Sequence, residues 1–183
     1  MRKLVAGLFI SLDGVVESPG EWGFRYMDAA MAQRMAEGIA QADAILLGRE
    51  TYIVFHALWA AQGDSSPMAK FLNETPKYVV SQTLKELPWQ PATQLSGRLG
   101  QEVTRLKEQP GKNIQVPGSP SLVASLLRDG LLDELTLSIC PVVVGKGRRL
   151  FAGNSEELKL ELVSSEASTT GALGATYRRP EPA

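Results

Sequence analysis

The chain has 183 residues, 44% hydrophobic and 21% charged, enough for one well-buried domain spanning 1–183 and too few for two comfortable ones. A formal net charge of −1 removes the electrostatic case for nucleic acid or an anionic membrane surface, and no apolar run is long enough to span a bilayer. The single cysteine, Cys140, excludes an internal disulfide and a thiolate-built zinc site, so no metal centre is expected, and the single histidine, His56, lies in the packed run Phe55-His56-Ala57-Leu58-Trp59, a poor place for a Ser-His-Asp base.

Met1-Arg2-Lys3 leads into a strand pattern rather than a cleavable signal, so a reducing cytoplasm is the expected setting. Lys3 to Ile10 reads as a buried strand, and the turn dipeptide Asp13-Gly14 follows it. Glu17 to Gly23 is a loop. Met27, Met31, Met35 and Ile39 recur every four residues and mark one face of a helix. Ala44 to Leu47 is a second strand ending at Gly48, and Glu50 to Leu58 is helical. Residues 62–67 form a polar loop. Lys77 to Val80 is a third strand ending at Ser81. Leu99 to Glu108 has helical spacing and stops at Pro110-Gly111. Ile114 to Val116 is a fourth strand, and the helix of Leu122, Val123, Leu126 and Leu127 follows at once. Leu135 to Ile139 and Val142 to Val144 are strand-like around Pro141, and Gly145 to Arg149 reads as a turn in a late hairpin. Leu158 to Val163 and Ala172 to Tyr177 close the chain as a hairpin pair. Strands that first alternate with helices and then pair directly predict an α/β fold with a mixed sheet, parallel first and antiparallel at its C-terminal part.

Three strands end at small or polar corners: Gly48-Arg49-Glu50-Thr51, Ser81-Gln82-Thr83 and Pro117-Gly118-Ser119-Pro120. In open α/β sheets, ligands bind outside the carboxyl ends of the strands. If the three strands are neighbours, the corners line one cleft. Gly118 allows close backbone approach, Ser119 and Pro120 suit a helix start, and a helix start suits a phosphate. Arg49 offers a guanidinium fork, and Thr51, Ser81 and Thr83 offer hydroxyls. Taken singly, each corner could merely turn the chain, and Arg49 could be a surface ion-pair residue. As a set they point to a nucleotide with more than one phosphate. Gly145-x-Gly147 lacks the third glycine of a dinucleotide fingerprint and is not a P-loop.

Leu47-Gly48-Arg49-x-Thr51-Tyr52, Ser81-x-Thr83, Val116-x-Gly118-Ser119-x-x-Leu122, Gly130-Leu131-Leu132-Asp133-Glu134-Leu135 and Pro141-Val142-Val143-Val144-Gly145-x-Gly147-x-x-Leu150-Phe151 occur in this order. Together with Ser11-Leu12-Asp13-Gly14 and Gly174-Ala175-Thr176-Tyr177-Arg178, they resemble the dihydrofolate-reductase-like family that includes the reductase domain of bacterial riboflavin biosynthesis. The resemblance implies a three-layer α/β/α domain that binds NADPH across the strand ends and reduces a small nitrogen heterocycle, either 5-amino-6-(5-phosphoribosylamino)uracil-like or dihydrofolate-like. It implies that Gly48, Arg49 and Thr51 hold cofactor phosphates, and that Ser81 and Thr83 lie near the adenosine side. Gly118, Ser119 and Leu122 would meet the pyrophosphate and ribose. Ala6 and the loop from Asp13 to Val16 would approach the nicotinamide. The matching acidic residue at the first helix is Asp28, the candidate proton donor, with Asp13 as a second candidate. Asp28 could equally be a negative charge at a helix start, and Asp13 a turn residue. The His/Cys zinc signature of nucleobase deaminases is absent. The alternative to an enzyme is a catalytically silent nucleotide-binding sensor or scaffold. The apolar run Leu137 to Val144 could cover a homodimer seam or simply be core.

Overall fold

Leu4–Ser11 (β1) is apolar along most of its length because it runs through the middle of a sheet covered on both faces. The computed structural model describes residues 1–153 and 156–180. After β1 come a short helix, Pro19–Trp22 (α1), and a longer one, Ala29–Ala40 (α2). Ala42–Gly48 (β2), Arg49–Trp59 (α3), Pro67–Glu74 (α4), Lys77–Val80 (β3) and Ala92–Leu95 (β4) follow. Leu99–Glu108 (α5), Asn113–Pro117 (β5), Pro120–Arg128 (α6), Glu134–Cys140 (β6), Glu161–Ala167 (β7) and Leu173–Arg178 (β8) complete the order.

The eight strands form one sheet in the order β4-β3-β2-β5-β1-β6-β8-β7. All neighbours are parallel as far as β6, and β8 then runs antiparallel to both β6 and β7. This is the mixed α/β/α arrangement that the sequence predicts. The decisive feature for the site is that β3, β2 and β5 are consecutive neighbours, so their carboxyl ends emerge side by side.

Alternation along each strand sorts the layers. Leu4, Ala6, Leu8, Ile114 and Val116 face Val103, Leu106, Val123 and Leu126 of α5 and α6. Ile45, Leu47 and Val79 face Tyr52 of α3 and Leu72 of α4, and Phe9 packs with Trp22 and Met31 under α1 and α2. Leu137 and Cys140 are buried, whereas Pro141 and Val143 are exposed, so the apolar run that begins at Leu137 is core only in its first half.

Several elements differ from the sequence reading. Val142 to Val144 is not a strand; after Pro141 the chain leaves the sheet and its backbone groups bond to the turn after β1. Gly145 to Arg149 is therefore not a hairpin turn. It lies against residues 13–17, tied by an isolated bridge between Val15 and Arg149. The first strand of the closing hairpin starts at Glu161 rather than Leu158. β4 is too short and polar to announce itself. α4 had a legible start in Ser66-Pro67, since the Ser66 hydroxyl accepts the Ala69 N–H at 3.1 Å.

Lys77, at the start of β3, is 1% exposed and has no carboxylate partner among the described residues. Its ammonium donates to the carbonyls of Asn73 and Thr75 at the end of α4 and sits 4.6 Å from the centre of the Trp89 ring. Burial pulls its pKa down to about 8. The unfolded chain therefore binds this proton more tightly, and the contribution of Lys77 to stability should rise with pH between about 8 and 10.5. Melting curves of the parent and Lys77→Met should differ in slope across that window, and parallel curves would contradict this account.

Candidate functional site

The corners after β2 and β5 are locked together. The Gly48 N–H donates to Ser119 Oγ at 3.0 Å, and the Ser119 N–H donates to Thr51 Oγ1 at 3.0 Å. Ser119 is buried and adopts a left-handed backbone, φ 57°, directly after Gly118 at φ 76°. Two left-handed residues in succession turn β5 sharply into α6. A Cβ on Gly118 would lie 3.3 Å from the Thr51 methyl, so both space and backbone geometry favour glycine there.

The lock has a chemical consequence. Ser119 spends its hydroxyl on Gly48 and leaves α6 without a side-chain cap, and α3 has none because its N-cap is Gly48 itself. Helices of eleven and nine residues thus open with uncapped N–H groups beside one cavity of about 320 Å³. Gly48, Arg49, Thr51, Ser119 and Leu122 line it, as do Glu50 and Arg148. Two helix N-termini and two guanidinium groups can hold a diphosphate. This donor set fits the phosphates of a dinucleotide.

Arg148 was missed by the sequence reading because Gly145 to Arg149 looks like an ordinary turn. The signal was the pair of arginines after Gly147. The loop is brought to the cavity by its ties to the segment after β1: Val16 N–H to Arg148 O, and Arg148 N–H to Glu17 Oε2 at 3.0 Å. The Arg148 guanidinium pairs with Glu50 Oε2 at 2.8 Å across the cavity.

The other expected residues take different places. Arg49 donates to Thr83 Oγ1 at 2.9 Å, joining the β2 and β3 corners. Ser81 is buried, and its Oγ accepts the N–H groups of Thr83 and Leu84, so it shapes the corner rather than lining the cavity. Ala6 is buried in β1 and borders a second hollow of about 590 Å³ between α2, α4 and the sheet. Pro117, two residues before Ser119, also borders this hollow. Val16 packs its side chain into the core and does not line the groove.

In this structure both aspartates are engaged as hydrogen-bond acceptors. The Ser11 hydroxyl donates to Asp13 at 2.7 Å, and the N–H groups of Val144 and Gly145 and the Arg149 guanidinium converge on the same carboxylate. The Ser11 hydrogen bond, with the two backbone donors, holds the Asp13 carboxyl well below its ordinary range. Asp28 caps α2: it accepts the Met31 N–H at 2.9 Å, and both the N–H and hydroxyl of Thr169. The Met31 N–H, followed by that of Thr169, lowers its pKa too. A general acid near neutral pH needs the opposite shift. Neither residue lines the groove.

The sequence model of the RibD C-terminal domain family matches residues 2–173. The uncharacterized protein YyaP of Bacillus subtilis (strain 168) is 31% identical over 180 residues, covering 96% of this chain and 94% of its own. Among solved structures, a putative riboflavin biosynthesis protein from Shewanella sp. PV-4 superposes with a TM-score of 0.73 at 20% identity, covering 98% of this chain and 99% of that one. A Thermotoga maritima diaminohydroxyphosphoribosylaminopyrimidine deaminase/5-amino-6-(5-phosphoribosylamino)uracil reductase gives 0.69 at 14% identity, covering 98% of this chain and 57% of that one. Dihydrofolate reductase from Enterococcus faecalis, complexed with NADP(H), gives 0.64 at 13%, with 98% and 97% covered. These likenesses establish a dihydrofolate-reductase-like fold.

Two outcomes follow from the geometry. Gly118→Val should lower stability by about 1–2 kcal/mol, the cost of a left-handed backbone for a residue with a Cβ; a denaturation midpoint equal to the parent's would show that the corner is not constrained. Asp13 has a lowered folded-state pKa, so its contribution is complete above the ordinary carboxylate range and is lost as pH falls below about 4. Asp13→Asn should therefore flatten the acid limb of the stability curve, and an unchanged limb would remove the clamp from the account.

Proposed function

The chain belongs to the RibD C-terminal domain family, and from that premise we propose that it is an NADPH-dependent reductase of a small nitrogen heterocycle. The observation that carries this reading is the pair of uncapped helix starts beside Arg49 and Arg148 in one cavity. In this reading Gly48, Thr51, Ser119 and Leu122 surround the diphosphate. Arg49, with Thr83 beside it, meets the additional phosphate of NADPH, where a bare ribose diol would call for a carboxylate. Arg148 exchanges its bond to Glu50 for a phosphate oxygen.

The bound dinucleotide supplies a hydride to a carbon of a C=N bond or a ring-opened sugar. The protein's part is to hold that carbon in the groove beside Ala6 and Gly7. The accompanying proton goes to the heterocycle nitrogen, and with Asp13 and Asp28 both kept as carboxylates, it comes from water in the open groove. The same locked aspartates favour one other reading, a nucleotide-binding protein without turnover. No helix among the described residues is long and apolar enough to cross a membrane, which accords with an enzyme of the cytoplasm.

Fluorescence titration should find NADPH bound at least ~10-fold more tightly than NADH, a difference of about 1.4 kcal/mol. Arg49→Ala should remove most of that preference, and Arg148→Ala should weaken both cofactors. Equal affinities in the parent would contradict the assignment. Tight NADPH binding with no cofactor oxidation across a panel of pterins and aminopyrimidines would select the silent reading.

A further inference from the structure

The cavity around Ser119 holds one residue of the wrong sign for a phosphate. Its charged lining residues are Arg49, Arg148 and Glu50, so among the described residues two guanidinium groups face one carboxylate. Glu50 is the second residue of α3. Its own N–H belongs to the uncapped helix start, and its carboxylate hangs from the same residue. A phosphate that docks on those N–H groups meets Glu50 as a like charge and as a competitor for its cation.

That cation is Arg148, whose NH1 donates to Glu50 Oε2 at 2.8 Å. The contact uses one nitrogen of the guanidinium and lies in the open, with the two side chains 44% and 61% exposed. Exposed pairs of this kind are weak, and a phosphate can take a guanidinium by two parallel bonds, so the carboxylate is displaceable. The backbone of Arg148 does not have to follow. Its carbonyl accepts the Val16 N–H, and its N–H donates to Glu17 Oε2 at 3.0 Å. The bridge between Val15 and Arg149 holds the same loop, so only the Arg148 side chain swings. Arg49 faces no such competition from its hydrogen-bond partner, because that partner is the neutral Thr83 hydroxyl at 2.9 Å.

We infer that Glu50 is a built-in anion that holds Arg148 when no phosphate does, competes with the cofactor's diphosphate for it, and so speeds the release of the bound dinucleotide. The inference rests on the reductase reading above and adds to it how the same site exchanges its ligand. A carboxylate tethered beside Arg148 recaptures it at an effective concentration that dilute free anions do not reach. Affinity is lowered and exchange is quickened. In a reductase the oxidised cofactor must leave in every cycle, and release of product often limits turnover.

The test is stopped-flow fluorescence of NADPH binding and release, with a melting curve of each protein. Glu50→Gln should bind NADPH about 3- to 5-fold more tightly at low salt, chiefly through slower release. The gain should shrink as salt screens the charges. The variant should melt no higher than the parent, because it loses an anion from the first turn of α3, so tighter binding cannot come from a firmer fold. In an Arg148→Ala background the same substitution should change the affinity by less than about 2-fold, the part left to direct repulsion between exposed charges. Equal or weaker NADPH binding by Glu50→Gln overturns the inference. An undiminished gain without Arg148 overturns it too, since Glu50 would then act by repulsion alone. Failure of both the parent and Glu50→Gln to bind NADPH would overturn the reductase reading itself, so the two failures are distinct.

Discussion

The hydrogen bond from the Gly48 N–H to Ser119 Oγ, with its return from the Ser119 N–H to Thr51 Oγ1, is the contact on which the site depends. It joins the ends of two neighbouring parallel strands. It also consumes the hydroxyl that would otherwise cap α6. The backbone donors at both helix starts are left for a ligand. Losing one such bond typically costs about 1 kcal/mol of stability. The larger effect here is positional, because both dipoles would lose their common aim.

A second constraint comes from the other half of the sheet. Asp13 gathers Ser11, Val144, Gly145 and Arg149 around one carboxylate. That cluster fastens the segment after β1 to the segment after β6. Arg148 reaches the phosphate cavity only because this fastening holds its loop in place. Asp13 here acts as an anionic clamp between the two segments. Asp28 follows the same rule at the start of α2, where an aspartate accepting two backbone N–H groups is held ionised.

The mixed α/β class was legible because β1 and β2 are apolar runs bounded by glycine or serine and helices intervene, whereas the strand order that makes β3, β2 and β5 neighbours was not. The cavity was legible only from the set: each small or polar corner alone could merely turn the chain, and three together at strand ends mark a binding edge. Other parts were hidden for physical reasons. β4 is four residues of mixed polarity held by pairing with β3, a tertiary fact that no local pattern records. Val142 to Val144 has the composition of a strand but spends its backbone bonds on the turn at Leu12 and Asp13. Ser81 has the right chemistry for a ligand but satisfies its own turn. Arg148 became visible only when long-range pairing brought its loop across.

The central claim is that the N–H groups at the starts of α3 and α6 bind the cofactor's phosphates together. The most direct measurement is the amide spectrum of the ¹⁵N-labelled chain during titration with NADPH. The account predicts that the amides of Glu50, Thr51, Ser121 and Leu122 move downfield together, with one shared dissociation constant. Saturable NADPH binding that leaves these four amides unmoved would contradict it.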